Sequence, residues 1–137
     1  MADRIVRADY FKLETPNRPG EAARVLKVLR DAKVNLLAFT GFPRGKKAQM
    51  DFVPRDASSF LKAARRAGLP VSRKKSVFLI QGGDRVGAIH NVMEALGKAG
   101  INATAVDAVT GGKGRYGAIL WVKAEDVRKA SKVLGVF

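Results

Sequence analysis

Gly20 and Gly87 stand 67 positions apart, and the same shift carries a whole pattern with it. Phe11 maps onto Phe78, Arg18 onto Arg85, Val25 onto Val92, Leu29 onto Leu96, Asn35 onto Asn102, Ala63 onto Ala130 and Gly68 onto Gly135. One offset that holds without a gap across two helical patterns and several strand patterns defines an internal repeat. A chain of 137 residues allows one ordinary domain or two small ones sharing a core. The repeat requires two copies of one supersecondary unit.

Read in order, residues 9–14 carry Tyr10, Phe11 and Leu13 and predict a strand, with Ile5 and Val6 extending it back to residue 4. Pro16 and Pro19 end it, and Pro19 suits the first turn of a helix over 19–33. Val25, Leu26, Leu29 and Ala32 share one face of that helix; Glu21, Arg24, Lys27 and Arg30 face water. Residues 34–42 predict a strand, 43–47 a hairpin turn and 48–53 the returning strand. Asp56 or Ser58 caps a second helix that buries Phe60, Leu61 and Ala64 and stops at Gly68. Residues 70–75 predict a short strand.

The second copy repeats this order: strand 77–81, turn 82–85, helix 86–99, strand 101–109, turn 110–114, strand 116–123 and helix 125–134. Ile89, Val92, Met93 and Leu96 point inward from its first helix. Each unit is a β-α-β-β-α-β arrangement, the split βαβ of ferredoxin-like folds. The expected class is α+β, with antiparallel sheets carrying helices on one face and units at 1–75 and 76–137. The second unit reaches Phe137 where its fourth strand would begin. Residues 4–8 precede the first unit as 71–75 precede the second, so residues 4–8 are expected to complete the second unit's sheet.

The composition narrows the chemistry. Apolar residues make up 47%, enough to build cores. There is no cysteine and a single histidine, so disulfides, thiolate chemistry and a structural zinc site are not expected. His90 has no serine or carboxylate spaced to form a triad and reads as a surface residue. Trp121 lies on a strand and reads as a packing residue. The run Gly111, Gly112, Lys113, Gly114 lacks Walker spacing and fits a hairpin turn. No enzyme activity, cofactor or metal is expected. The N-terminal residues are charged, and nothing approaches the ~20 apolar residues that span a bilayer. A cytoplasmic protein without a membrane partner is the expectation. The net charge of +14 admits a second reading, attraction to nucleic acid. Its clusters, such as Arg65 with Arg66 and Arg73 with Lys74 and Lys75, are short and have few aromatics among them.

The turn Asn17, Arg18, Pro19, Gly20 before a helix, with Val34, Asn35, Leu36 after it, resembles the ACT domain. Asp84, Arg85, Val86, Gly87 and the later Gly100, Ile101, Asn102 resemble it again. The resemblance covers nearly the whole chain as two tandem ACT units with no catalytic domain attached. It implies a regulatory module that binds a small amino acid, pairs side by side into a homodimer and acts on a regulated enzyme or protein partner. The turn glycine lets the ligand approach the backbone, while asparagines in the turn and at the start of the second strand hold its polar groups. Asn17, Gly20 and Asn35 match in the first unit. Gly87 and Asn102 match in the second, where Asp84 replaces the turn asparagine. Serine-sensing relatives carry a histidine two residues before the turn asparagine; this chain has Thr15 and Gly82.

The residues support the same chemistry independently. An amino acid's carboxylate suits a helix N-terminus at Gly20 or Gly87, and its ammonium needs acceptors such as an Asn amide oxygen or Asp84. Arg18 and Arg85 fit a solvated role or a contact with a carboxylate. Plainer roles stand beside these: the glycines as turn formers, the asparagines as helix-to-strand bridges and Asp84 as a helix-entry residue. The resulting expectation is a non-catalytic amino-acid-binding regulator, with a nucleic-acid-binding or transcriptional regulatory module as the alternative.

Overall fold

A computed structural model describes residues 3–136. The chain runs β1 (Arg4–Pro16), α1 (Glu21–Asp31), β2 (Leu36–Arg44), β3 (Lys47–Pro54), α2 (Ala57–Arg66), β4 (Lys75–Gly83), α3 (His90–Lys98), β5 (Ala103–Gly112), β6 (Arg115–Val122) and α4 (Val127–Val133), with a 3₁₀ turn at Ala124–Asp126. It divides into two compact units. One is Asp9–Lys75; the other joins the residues through Ala8 to those from Ser76 onward. The fold is α+β and ferredoxin-like, and its paired strands are antiparallel.

In the Asp9–Lys75 unit the strand order is β2-β3-β1. Phe52 of β3 registers with Phe11 on one side and Phe39 on the other. Alternation then puts Phe11, Leu13, Met50 and Phe52 on one sheet face. Val25 and Leu29 of α1 and Phe60, Ala63 and Ala64 of α2 close over them. Phe60 stacks on Phe11 with ring centroids 5.0 Å apart and tilts against Phe52 at 5.5 Å. Ala32, expected on the buried face, is the exposed C-cap of α1. Asp56 caps α2 as expected, accepting from Ser58 N at 3.0 Å. Residues 70–74 do not form the expected strand, and β4 starts only at Lys75. Pro70 has no N–H to give. What remains is one strand-like exchange, in which Ser72 N donates to Lys12 O at 2.8 Å while Lys12 N donates to the Ser72 hydroxyl at 2.9 Å.

In the other unit β1 borders β4, followed by β6 and β5. Phe78, Ile80, Leu96, Leu120 and Ala130 form its core, and Ile5 packs against it. Phe137, where a further strand was expected to begin, lies outside the described residues. The gap-free repeat fails locally here. Phe11 registers with Phe52, whereas its equivalent Phe78 registers with Leu120, one residue beyond the constant offset. A shift in the β5–β6 ladder between Thr110 and Gly112 adds the extra residue. The shorter link after β6 removes it, because Lys123 alone separates β6 from the 3₁₀ turn. The expected helix over 86–99 also begins late, at His90, after a turn at 86–89.

Among the described residues, the four α-helices stop the same way. The residue after the C-cap takes positive φ: Lys33 (59°), Gly68 (69°), Gly100 (73°) and Gly135 (72°). The next N–H then reaches back to the helix, from Val34 to Leu29, Leu69 to Ala64, Ile101 to Leu96 and Val136 to Ser131, at 2.8–2.9 Å. This is the Schellman closure, with an apolar residue just past it packing onto the helix. Lys33 is the one non-glycine among the four and carries the left-handed strain of an L-residue. Lys33→Gly is therefore expected to raise stability by about 0.5–1 kcal/mol, read as an increase in the urea midpoint with an unchanged m-value.

Candidate functional site

The turn between β1 and α1 is shaped by Gly20. At φ 91° it breaks the chain direction, and α1 starts at the next residue instead of at Pro19 as expected. Asn17 N donates to Lys46 O at 3.3 Å, which ties the turn to the β2–β3 hairpin. No side chain caps the helix N-terminus. A Cβ on Gly20 would meet nothing within 4 Å apart from its chain neighbours, so the backbone there faces open space. Glu21 in that turn binds Arg24 at 3.1 Å and Arg18 at 3.3 Å. Arg24, then Arg18, hold its carboxyl below the usual range. Asn17, Arg18 and Gly20 thus share one exposed turn. Asn35 is exposed ahead of β2, its carbonyl taken by Arg55 N at 2.9 Å.

The second unit keeps the plan and changes the contents. Asp84 N donates to Gly114 O at 2.8 Å, the counterpart of the tie at Asn17. Gly87 is again left-handed at φ 72°. Asp84 is not the helix-entry residue considered from sequence: the N-cap of α3 is Ile89, five positions later. Val86, where the first unit has Pro19, is fully exposed. Asn102 is exposed just before β5. His90 is a surface residue, 3.3 Å from Glu94.

Arg85 is not simply solvated. Its Nη1 donates to Asp3 Oδ1 at 3.0 Å and to the Gly83 carbonyl at 2.9 Å, and its Nη2 donates to Asp3 Oδ2 at 3.1 Å. The guanidinium holds the Asp3 carboxyl below its usual range, against the opposing effect of burial. Tyr116 lies beside the pair. Its hydroxyl is buried and outside good hydrogen-bond geometry, yet near enough that burial and then Asp3 push its pKa up. Asp3, Gly82 and Tyr116 were not anticipated as a group. The available signal was disagreement between the copies, since Gly82 stands where the first unit has the buried Thr15.

From the first hairpin a polar chain runs from exposed Arg44 to buried Gln49 and Asp51. Arg44 donates to Gln49 Oε1 at 3.0 Å, and Gln49 Nε2 donates to Asp51 Oδ1 at 3.1 Å. Asp51 is 5% exposed. Burial pushes its carboxyl up, although the Gln49 bond and the charges of Lys12 and Lys75 pull the other way. Thr40 Oγ1 is close enough to contribute but falls outside hydrogen-bond geometry. Among the described residues no three His, Asp or Glu side chains gather as metal ligands, and no helix is long and apolar enough to cross a membrane.

No protein-family model matches the sequence, and no curated protein matches it. Solved structures do match. A Bacteroides thetaiotaomicron protein, BT0572, superposes with a TM-score of 0.81 at 18% identity, over 96% of this chain and 88% of the other. The ligand-free regulatory subunit of aspartate kinase from Thermus thermophilus gives a TM-score of 0.62 at 18% identity, over 98% and 93%. Its counterpart from Thermus flavus gives 0.61 at 19%, over 98% and 94%. The fold of this chain is the ACT-type ferredoxin-like fold, used twice.

A carboxyl whose folded pKa lies above its ordinary 3.8 binds its proton more tightly in the folded state. Ionised Asp51 therefore costs stability as pH rises from that value through the folded pKa, and the cost is complete above it. Asp51→Asn keeps an acceptor for Gln49. It is expected to raise the melting temperature at neutral pH, with the gain shrinking to nothing below pH 3.8. Melting curves of both proteins across this range check the sign.

Proposed function

We propose that this chain is a non-catalytic regulatory protein that binds a small amino acid at the strand–turn–helix junctions of two tandem ACT units. The observation that carries the reading is the Gly20 junction: a left-handed glycine, open space where a Cβ would be, and an uncapped helix N-terminus immediately after it. N–H groups and the helix dipole favour a carboxylate there. Asn17 and Asn35 of the first unit and Asp84 and Asn102 of the second are the acceptors proposed for the ammonium group. Arg18 and Arg85 set the charge beside each turn. The architecture supports the reading, because solved structures sharing it include regulatory subunits of aspartate kinase.

Regulation would follow from differential affinity: the ligand shifts the protein between states, or between assemblies, by the difference in its binding to each. A homodimer fits the exposed apolar side chains of β2, where Leu37, Phe39 and Phe42 lie on an unpaired edge of their own unit. The regulated partner would be an enzyme or protein supplied in trans.

A thermal-shift screen against the twenty amino acids tests this reading. A ligand at 100 times its Kd stabilises by about 2.7 kcal/mol, a shift well above noise. Gly20→Asp is expected to abolish the response at the first junction, because it fills the open space and places a negative charge against the carboxylate. No shift with any amino acid at millimolar concentration, or an unchanged one in both Gly20→Asp and Gly87→Asp, overturns the assignment.

A further inference from the structure

The two junctions differ in how each arginine is satisfied. In the first unit Arg18 meets Glu21, three residues along the same turn, and its side chain stays 67% exposed. In the second unit the equivalent of Glu21 is Ala88, so the carboxylate that Arg18 meets has no counterpart at that position. Arg85 instead receives Asp3, from the far end of the chain, through both carboxylate oxygens. The Asp3 side chain is 12% exposed and that of Arg85 40%.

The surroundings fit a carboxylate. Nη1 of Arg85 is anchored on the Gly83 carbonyl, which fixes the guanidinium plane and leaves a two-point fork for one planar anion. Gly82 leaves the room. A Cβ built there would overlap Asp3 Oδ1 and approach Tyr116 Cε1 to 2.9 Å. Thr15 and Ala48 form the corresponding cross-strand pair in the first unit, where the second has Gly82 and Tyr116. The position equivalent to Asp3 is there Pro70, which carries no charge. The second unit has a wall residue removed, an aromatic side chain added and a carboxylate delivered, all at one place.

We propose that the Gly82–Arg85–Tyr116 turn is a carboxylate-binding site that the protein fills with its own Asp3, and that a free carboxylate gains it only by displacing the N-terminal segment. This rests on the reading above in treating the turn as a ligand site; the preference for a carboxylate comes from the arginine geometry. A tethered carboxylate acts at an effective concentration on the order of millimolar or more, so a free one is strongly disfavoured while the tether is in place. The first junction lacks such a tethered occupant, and the second binds only in exchange for its own Asp3.

The test is an acetate titration of the isotope-labelled full chain at constant ionic strength, with chloride as the replaced anion. Acetate reproduces the end of the Asp3 side chain. Backbone amide resonances of Gly82, Gly83 and Arg85 report on the second turn, and those of Asn17, Arg18 and Gly20 on the first. The wild type is expected to show little response at the second turn. Asp3→Ala is expected to show a saturable one at a concentration lower by at least about tenfold, and adding Arg85→Gln is expected to remove it. An equal response in wild type and Asp3→Ala, or one that survives Arg85→Gln, overturns the proposal. Should Asp3→Ala not fold, Asp3→Asn keeps the side-chain shape without its charge. It too must admit acetate at lower concentration than the wild type, and an unchanged titration overturns the proposal. Acetate probes the carboxylate half of a ligand alone, so a failed amino-acid screen leaves this result standing, and the reverse also holds.

Discussion

The left-handed backbone that closes each α-helix of the described residues, and that also precedes α1 and α3, is the constraint on which both units depend. The α-helices here span only 7–11 residues, too short to persist in water on their own. Each must be started and stopped by the chain itself and held by one buried face. At the N-terminal side, Gly20 and Gly87 turn the chain sharply out of a strand. At the C-terminal side, the Schellman closures of Lys33, Gly68, Gly100 and Gly135 turn it toward the next segment. With both ends fixed, Val25 and Leu29, or Val92 and Leu96, can only fall on the sheet. The junction ahead of α1 is a by-product of the same geometry: the turn gives the helix no side-chain cap, and the Glu21 N–H is met only by the Arg18 carbonyl at 3.4 Å.

Much of this was legible in the sequence, because repeats, prolines and glycines state backbone requirements directly. The order of elements and the helix-facing residues Val25, Leu29, Phe60, Val92 and Leu96 follow from periodicity. What failed was register and regularity. A constant offset places β6 one residue out, since a hairpin can gain a residue and the following link can lose it while the endpoints still match. Nothing local at Gly112 shows that a bulge is compensated eleven residues later at Lys123. The expected strand at 70–75 failed for a related reason. The order of the repeat called for a strand there, but Pro70 removed a donor and the Ser72 hydroxyl took over a ladder acceptor.

Of the candidate site, the sequence located the turns and missed their occupants. Periodic patterns report on neighbours in the chain, and Glu21 with Arg18 is such a neighbour pair. Asp3 with Arg85 is not. Around this pair the copies differ at Thr15 against Gly82, Glu21 against Ala88, Ala48 against Tyr116 and Pro70 against Asp3. Together they remove one carboxylate from the second junction and make room for another, so the chemistry lies in the differences between two units whose backbones are alike.

The two ion pairs also differ in what breaking them means. Arg18–Glu21 is an exposed contact within one turn of chain, of a kind whose net contribution is small and readily screened. Separating it costs little and moves nothing else. Asp3–Arg85 is partly covered, engages both carboxylate oxygens and joins residues 82 apart in sequence. Removing the anion would leave Arg85 facing a space shaped for one, beside the buried Tyr116 hydroxyl. Water reaches the guanidinium, whose side chain is 40% exposed, so separating the pair costs mainly its two-point contact. The same difference gives the pair a direction. A ligand that replaces Asp3 restores the charge balance at the turn and leaves the carboxylate and its segment as the part that changes. The first junction has no comparable lever, because Glu21 is fixed in the helix that it helps to start.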